Sequence, residues 1–179
     1  MANIILVDGK APAMHQNVFT ISSVDIAGDV RIAEFVNIWN HVTLRGDVNY
    51  IQIGKYTNIQ DNSVVHGDRP KPDNPDWGAT IIGEYVTVGH GAILHACTVE
   101  DACLIGMGAI VLDGAVIGKG SVVGAGSVVT QRTVIPPYSM VLGTPAKVVK
   151  TLPEESIAER IAHAERYWEL TKKYKNEDI

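Results

Sequence analysis

An aliphatic residue returns at every sixth position through most of this chain. It stands at Ile26, Ile32, Ile38 and Leu44, then Ile53, Ile59 and Val65, then Ile82, Val88 and Leu94, then Val99, Ile105, Val111, Ile117, Val123 and Val129. The first four are followed four positions later by Val30, Val36, Val42 and Val48. Further on, the next residue is often glycine (Gly54, Gly83, Gly89, Gly106, Gly118, Gly124) and the fourth along stays small (Thr57, Ser63, Ala92, Ala109, Ala115, Ser121, Ser127). A helix repeats its buried face every 3.6 residues and a flat strand every 2.0, so a period of six fits neither alone. It predicts short strands separated by tight corners and wound into a triangular prism, three units to a coil, an all-β solenoid. Composition agrees: the chain is 46% hydrophobic but only 6% aromatic, with 17 Gly, so its core consists of small and β-branched aliphatics in thin layers. A β-sandwich would place turn signals about every 8–12 residues instead.

The 179 residues are enough for one domain and a tail. The prism is expected over 1–150 and a helix packed on it over 151–179. Pro136-Pro137 is read as the end of the coils and Gly143-Thr144-Pro145-Ala146 as a turn. Thr151-Leu152-Pro153-Glu154 is read as a helix cap. Ile157, Ile161, Ala164, Trp168 and Thr171 then recur at helical spacing, one apolar face for the outside of the prism. A net charge of -5 lacks the basic excess of a protein that binds nucleic acid or an anionic membrane, so neither partner is expected. The opening Met1–Asp8 has no basic region and too short an apolar run for a signal or a span, which predicts a cytoplasmic protein. Cys97 and Cys103 lack CxxC spacing and are expected as buried small residues.

The register turns the histidines into geometry. With the prism walls taken in order, Leu44, Val65 and Leu94 share one wall, provided the eleven extra residues between Val65 and Ile82 form a loop. Arg45, His66 and His95 each directly follow one of these and point outward in consecutive coils. Coils about 4.8 Å apart allow the two imidazoles to meet one ion at roughly 2.0–2.1 Å each. His90 follows Val88 by two and lies on a corner that projects away from the pair, with Asp61 on the same corner one coil earlier. A catalytic zinc takes three protein ligands. A symmetric trimer supplies the third by inserting His90 of one copy beside His66 and His95 of the next. His15, His41 and His163 stand outside this scheme and are read as structural or surface residues.

The repeat resembles the hexapeptide-repeat proteins, which implies left-handed parallel β-helices. Leu44-Arg45-Gly46-Asp47, Asn58-Ile59-Gln60-Asp61-Asn62 and Gly89-His90-Gly91-Ala92-Ile93-Leu94-His95-Ala96-Cys97 together resemble the gamma-class carbonic anhydrases. The resemblance implies reversible hydration of carbon dioxide to bicarbonate in a homotrimer, with Zn²⁺ held by His66, His95 and the neighbour's His90. Three imidazoles also suit Fe²⁺ or Co²⁺. It further implies that Arg45 and Asp47 form an intersubunit ion pair that helps hold bicarbonate, and that Gln60 and Asp61 orient the reacting water. Tyr167 resembles a tyrosine brought near the site by the tail helix; packing on the coil is its plain structural alternative. One departure stands out: the loop after His66 is short and proline-rich, with Asp68, Asp73 and Asp76 but no glutamate to shuttle protons. Metal-dependent hydrolysis of a small ester or thioester, a non-catalytic metal-bound scaffold and a hexapeptide acyltransferase remain as other readings.

Overall fold

The computed structural model describes residues 2–175. Its coils stack as the six-residue repeat requires, with every ladder between coils parallel. Leu44 pairs with Val65, Val65 with Leu94, Leu94 with Val111 and Val111 with Val129 along the first wall. Ile53, Ile82, Val99, Ile117 and Ile135 line the second. Ile38, Ile59, Val88, Ile105, Val123 and Val141 line the third. All of these side chains are buried and join in one continuous apolar core. The small fourth residues, from Thr57 to Ser127, are buried beneath the corners.

The corners explain why the period is six rather than a simple alternation. Each turns through a residue with positive φ: Asn62, Gly91, Gly108 and Gly126 on one edge, Ala96, Gly114 and Arg132 on another. Glycine adopts this region freely, and other residues at some cost. The glycines that follow the aliphatics do a different job, because the next coil lies directly on them. A Cβ at Gly89 would sit 2.8 Å from the backbone nitrogen of Met107.

Three expectations need correction. Pro136-Pro137 does not end the coils: the strand Ser139–Gly143 adds one more rung, pairing with Val122–Val123 and burying Val141. The prolines lie in the corner before it, where no ladder hydrogen bond is needed from them. Val48 is not a core residue but 37% exposed. The strand Thr43–Ile53 runs on past the corner, its partner Asp25–Ile32 is irregular between Gly28 and Val30, and Ile51 takes the interior place opposite Val30. Thr151 does not cap the helix, because it closes an antiparallel strand, Ala146–Thr151, opposite Ser139. A short 3₁₀ turn, Glu154–Ser156, follows Pro153 with no side-chain cap. The helix Ile157–Lys175 then lies across the third wall, over Asn37–Ile38, Asn58–Ile59 and Thr87–Val88. Ala164 and Thr171 are buried beneath it, and the Tyr167 and Tyr174 rings meet Trp39 edge-on. Among the described residues no helix is long and apolar enough to cross a membrane.

Candidate metal centre

On the first wall, Arg45, His66 and His95 occupy one register position in successive coils, Arg45 opposite His66 and His66 opposite His95. The two imidazoles therefore face each other, His66 Nδ1 standing 3.1 Å from His95 Nε2. Each ring also touches a carboxylate with its remote nitrogen. His66 Nε2 lies 3.0 Å from Asp47 Oδ1, and His95 Nδ1 lies 2.5 Å from Asp113 Oδ1. An ionised carboxylate only accepts, so each remote nitrogen must donate. In the neutral rings that leaves two lone pairs pointing at one another, an arrangement that a cation between them relieves. The spacing suits such an ion: two nitrogens bound to one tetrahedral Zn²⁺ at roughly 2.0–2.1 Å each stand about 3.3 Å apart. The remote carboxylates match the usual support of metal-bound histidine, fixing the tautomer and raising ligand basicity.

The electrostatics point the same way. Burial, with the positive charge of Arg45 and His95, holds His66 below its ordinary value against the pull of Asp47, favouring the neutral ring that a metal needs. Burial pushes Asp47 up, but hydrogen bonds from Arg45 and His66 outweigh it, and the carboxyl lies below its usual range. Asp113 behaves likewise, with Gln131 and His95 overcoming burial.

His90 lies elsewhere. It sits on the corner between the third and first walls, where its Nδ1 meets Asp61 Oδ2 at 2.8 Å. Asp61 is held in turn by Asn40 Nδ2 at 3.0 Å. Gln60, 4% exposed, donates to Asn58 Oδ1 at 3.1 Å and lines one groove with His90 and Tyr167. Burial raises the Tyr167 phenol, and Asp61 adds to this. One chain thus presents two separate clusters: His66 and His95 with Arg45, Asp47 and Asp113 on a wall, and His90 with Gln60, Asp61 and Tyr167 at a corner. Among the described residues of a single chain, no group of three or more His, Cys, Asp or Glu side chains is placed to hold a metal.

Within the chain Arg45 and Asp47 pair with each other, Nη1 to Oδ2 at 2.6 Å, so Asp47 bridges the arginine and His66. His163, read from the sequence as structural or surface, reaches Thr87 Oγ1 at 3.1 Å and lies tilted against Tyr167, beside the corner cluster. Asp113 was missed altogether. It follows Val111 by two, the spacing that puts Asp61 and His90 on corners, and that count could have flagged it. The loop after His66 folds back on the coils: Asn49 Nδ2 holds Trp77 O at 2.8 Å, and Lys71 Nζ lies 3.5 Å above the Trp77 ring. Burial pushes the thiols of Cys97 and Cys103 up to about 12, so neither provides a thiolate near neutrality.

The whole chain is similar to known proteins. The family described as "Bacterial transferase hexapeptide (six repeats)" matches residues 96–131. A protein of Methanocaldococcus jannaschii named "Probable carbonic anhydrase" is 48% identical over 156 residues, covering 87% of this chain and 94% of that protein. The "Gamma carbonic anhydrase 2, mitochondrial" of Arabidopsis thaliana is 42% identical over 169 residues, or 94% of this chain, which spans 60% of that protein's length. Among solved structures, a hexapeptide transferase family protein from Anaplasma phagocytophilum superposes with a TM-score of 0.88 at 38% identity, covering 96% of this chain and 98% of that one.

Proposed function

The chain belongs to the gamma carbonic anhydrase family, and we propose that it hydrates carbon dioxide to bicarbonate at a divalent metal ion, Zn²⁺ or in its place Fe²⁺ or Co²⁺. In this reading His66 and His95 of one copy and His90 of a second hold the ion within a homotrimer. The observation that carries it is the histidine pair, with proximal nitrogens 3.1 Å apart and remote nitrogens on carboxylates. The corner supports the second part: His90 is turned away from the pair, and the surfaces to be joined are apolar. Val64 and Ile93, beside the two wall histidines, are each 39% exposed, and Met107, one coil below His90, is 59% exposed. A second copy laid across them removes that surface from water.

A bound Zn²⁺ supplies a water acidified to a pKa of about 7. The chain's own groups arrange the rest. Asp61 orients the His90 ring, and the bond from Gln60 to Asn58 fixes its amide in the groove that His90 also lines, ready to orient a water. Arg45 holds a positive charge at the rim, suited to bicarbonate, while its bond to Asp47 steadies the partner of His66. Two buried, unpaired cysteines suit a reducing compartment such as the cytoplasm. Stopped-flow hydration of carbon dioxide by the metal-loaded protein tests the reading. A metal-dependent rate that disappears in His90→Ala is expected; a rate equal with and without metal would end it.

One feature favours a second activity at the same centre. A groove of about 420 Å³ runs from His90, Gln60 and Tyr167 past Leu104, Met107, Val122 and Met140, far more apolar room than carbon dioxide needs. Hydrolysis of a small acyl ester or thioester would use it, and a panel of such substrates separates the two activities.

A further inference from the structure

Asp113 has no part in the sequence reading, yet it makes the shortest contact of the histidine pair. Its Oδ1 meets His95 Nδ1 at 2.5 Å, and its Oδ2 accepts a bond from Gln131 Nε2 at 2.8 Å. Asp113 and Gln131, eighteen residues apart, hold the same position in successive coils, while His95 stands one position earlier in its own coil, because Leu94 pairs with Val111 only seventeen residues on; the three side chains meet at one edge of the prism. Both carboxylate oxygens are thus engaged: one on the ring, the other on an amide a coil further on. Bond rotation in Asp113 would break both contacts together.

We propose that Asp113 is a positioning residue for the metal centre, braced by Gln131. It holds His95 as the tautomer with hydrogen on Nδ1 and turns the Nε2 lone pair toward His66. The proposal rests on the metal-site reading above. It differs from the roles of Arg45, Asp47, Gln60 and Asp61 in origin: the group comes from the regular coils below the site, and its two oxygens are turned to His95 and Gln131. Without it, the His95 ring is free to rotate and to place hydrogen on Nε2, which removes the lone pair that a metal uses.

The test compares wild type with Asp113→Ala, Asp113→Asn and Gln131→Ala. Zn²⁺ affinity is measured by competition with a chromophoric chelator, and ring tautomers by long-range ¹H–¹⁵N spectra of the metal-free protein. Asp113→Ala should weaken Zn²⁺ binding about 10–100-fold, the usual cost of losing such a partner. Asp113→Asn keeps an acceptor and should lose less, and Gln131→Ala least. In wild type His95 should carry its hydrogen on Nδ1, and Asp113→Ala should shift it toward Nε2; a general loss of structure would instead lower the melting temperature of the metal-free protein. If Asp113→Ala fails to fold, Gln131→Ala, at an exposed corner, still gives a several-fold loss of affinity or refutes the brace. Wild-type binding of Zn²⁺ with unchanged affinity and tautomer in all three variants would overturn this proposal alone. Absence of Zn²⁺ binding in wild type would overturn it together with the metal-site reading.

Discussion

The coils from Val99 to Val129 and those from Leu44 to Leu94 share one architecture but not one regularity. In the later stretch the aliphatics follow at intervals of six without interruption, and the side chains beneath the corners are Cys103, Ala109, Ala115, Ser121 and Ser127, all small. In the earlier stretch the count is broken, with nine positions from Leu44 to Ile53 and seventeen from Val65 to Ile82. Arg45, Asp47, Gln60, Asp61, His66, His90 and His95 all fall between Leu44 and Leu94 or immediately after it. Buried polar groups gather there too, among them Asn58, Gln60, Thr80 and Thr87. A uniform repeat can only stack like on like. The inserted residues release the chain from that rule, and the candidate site lies where the repeat yields, on a scaffold of regular coils.

The largest test of this contrast removes the irregular region's chemistry. His66→Ala and His90→Ala should each abolish metal-dependent turnover while leaving the coils folded. Mixed after unfolding and refolding together, they should recover activity at about a quarter of the sites, since random assembly pairs an intact wall with an intact corner that often. A mixture as inactive as its parents would show that the two clusters do not meet between copies. A smaller effect is expected in the regular region, this time on stability alone. Ile117→Ala, fully buried, should cost about 2–5 kcal/mol in chemical denaturation. Val48→Ser, although it matches the repeat, should change stability by less than about 0.5 kcal/mol, because its side chain faces water. Equal losses at both positions would erase the distinction.

The smallest effect is a pH dependence confined to the functional side. His66 and His163 are both held below the ordinary 6.5 by burial, with Arg45 and Arg166 adding to it. The unfolded chain therefore takes up protons before the native one, and stability falls as pH drops through about 6.5 toward the lower native values. Asp47, Asp61 and Asp113, held below their usual range, keep their contribution until the pH falls further, through the carboxylate range. Thermal melts of chelator-treated protein between pH 8 and pH 5 should show the first decline, and His163→Gln should reduce it. A melting temperature constant over that range would refute it.

The solenoid was legible because its signal is one-dimensional: each coil touches only its neighbours, so the spacing of Ile and Val in sequence is the spacing in space. The stacking of Arg45, His66 and His95 followed from the same count, once the loop after His66 was set aside. Misreadings came where local signals competed with stacking. Pro136-Pro137 looks like a stop, yet the corner tolerates it and Val141 still has a core to enter. Thr151 looks like a cap, yet the hairpin with Ser139 claims it first. Val48 matches the repeat, but Ile51 takes the interior place.

By itself the sequence determined the prism, its register and the wall that carries His66 and His95, because periodic burial of apolar side chains leaves few other ways to fold. The tertiary structure decided what those histidines lean on. Asp113 and Gln131 reach His95 only after successive full coils return to the same edge. Asp61 turns to His90 through a corner whose side-chain directions no spacing specifies. Hydrogen bonds depend on distances of a few tenths of an ångström and on angles. Such distances come into being only when the coils have closed upon one another.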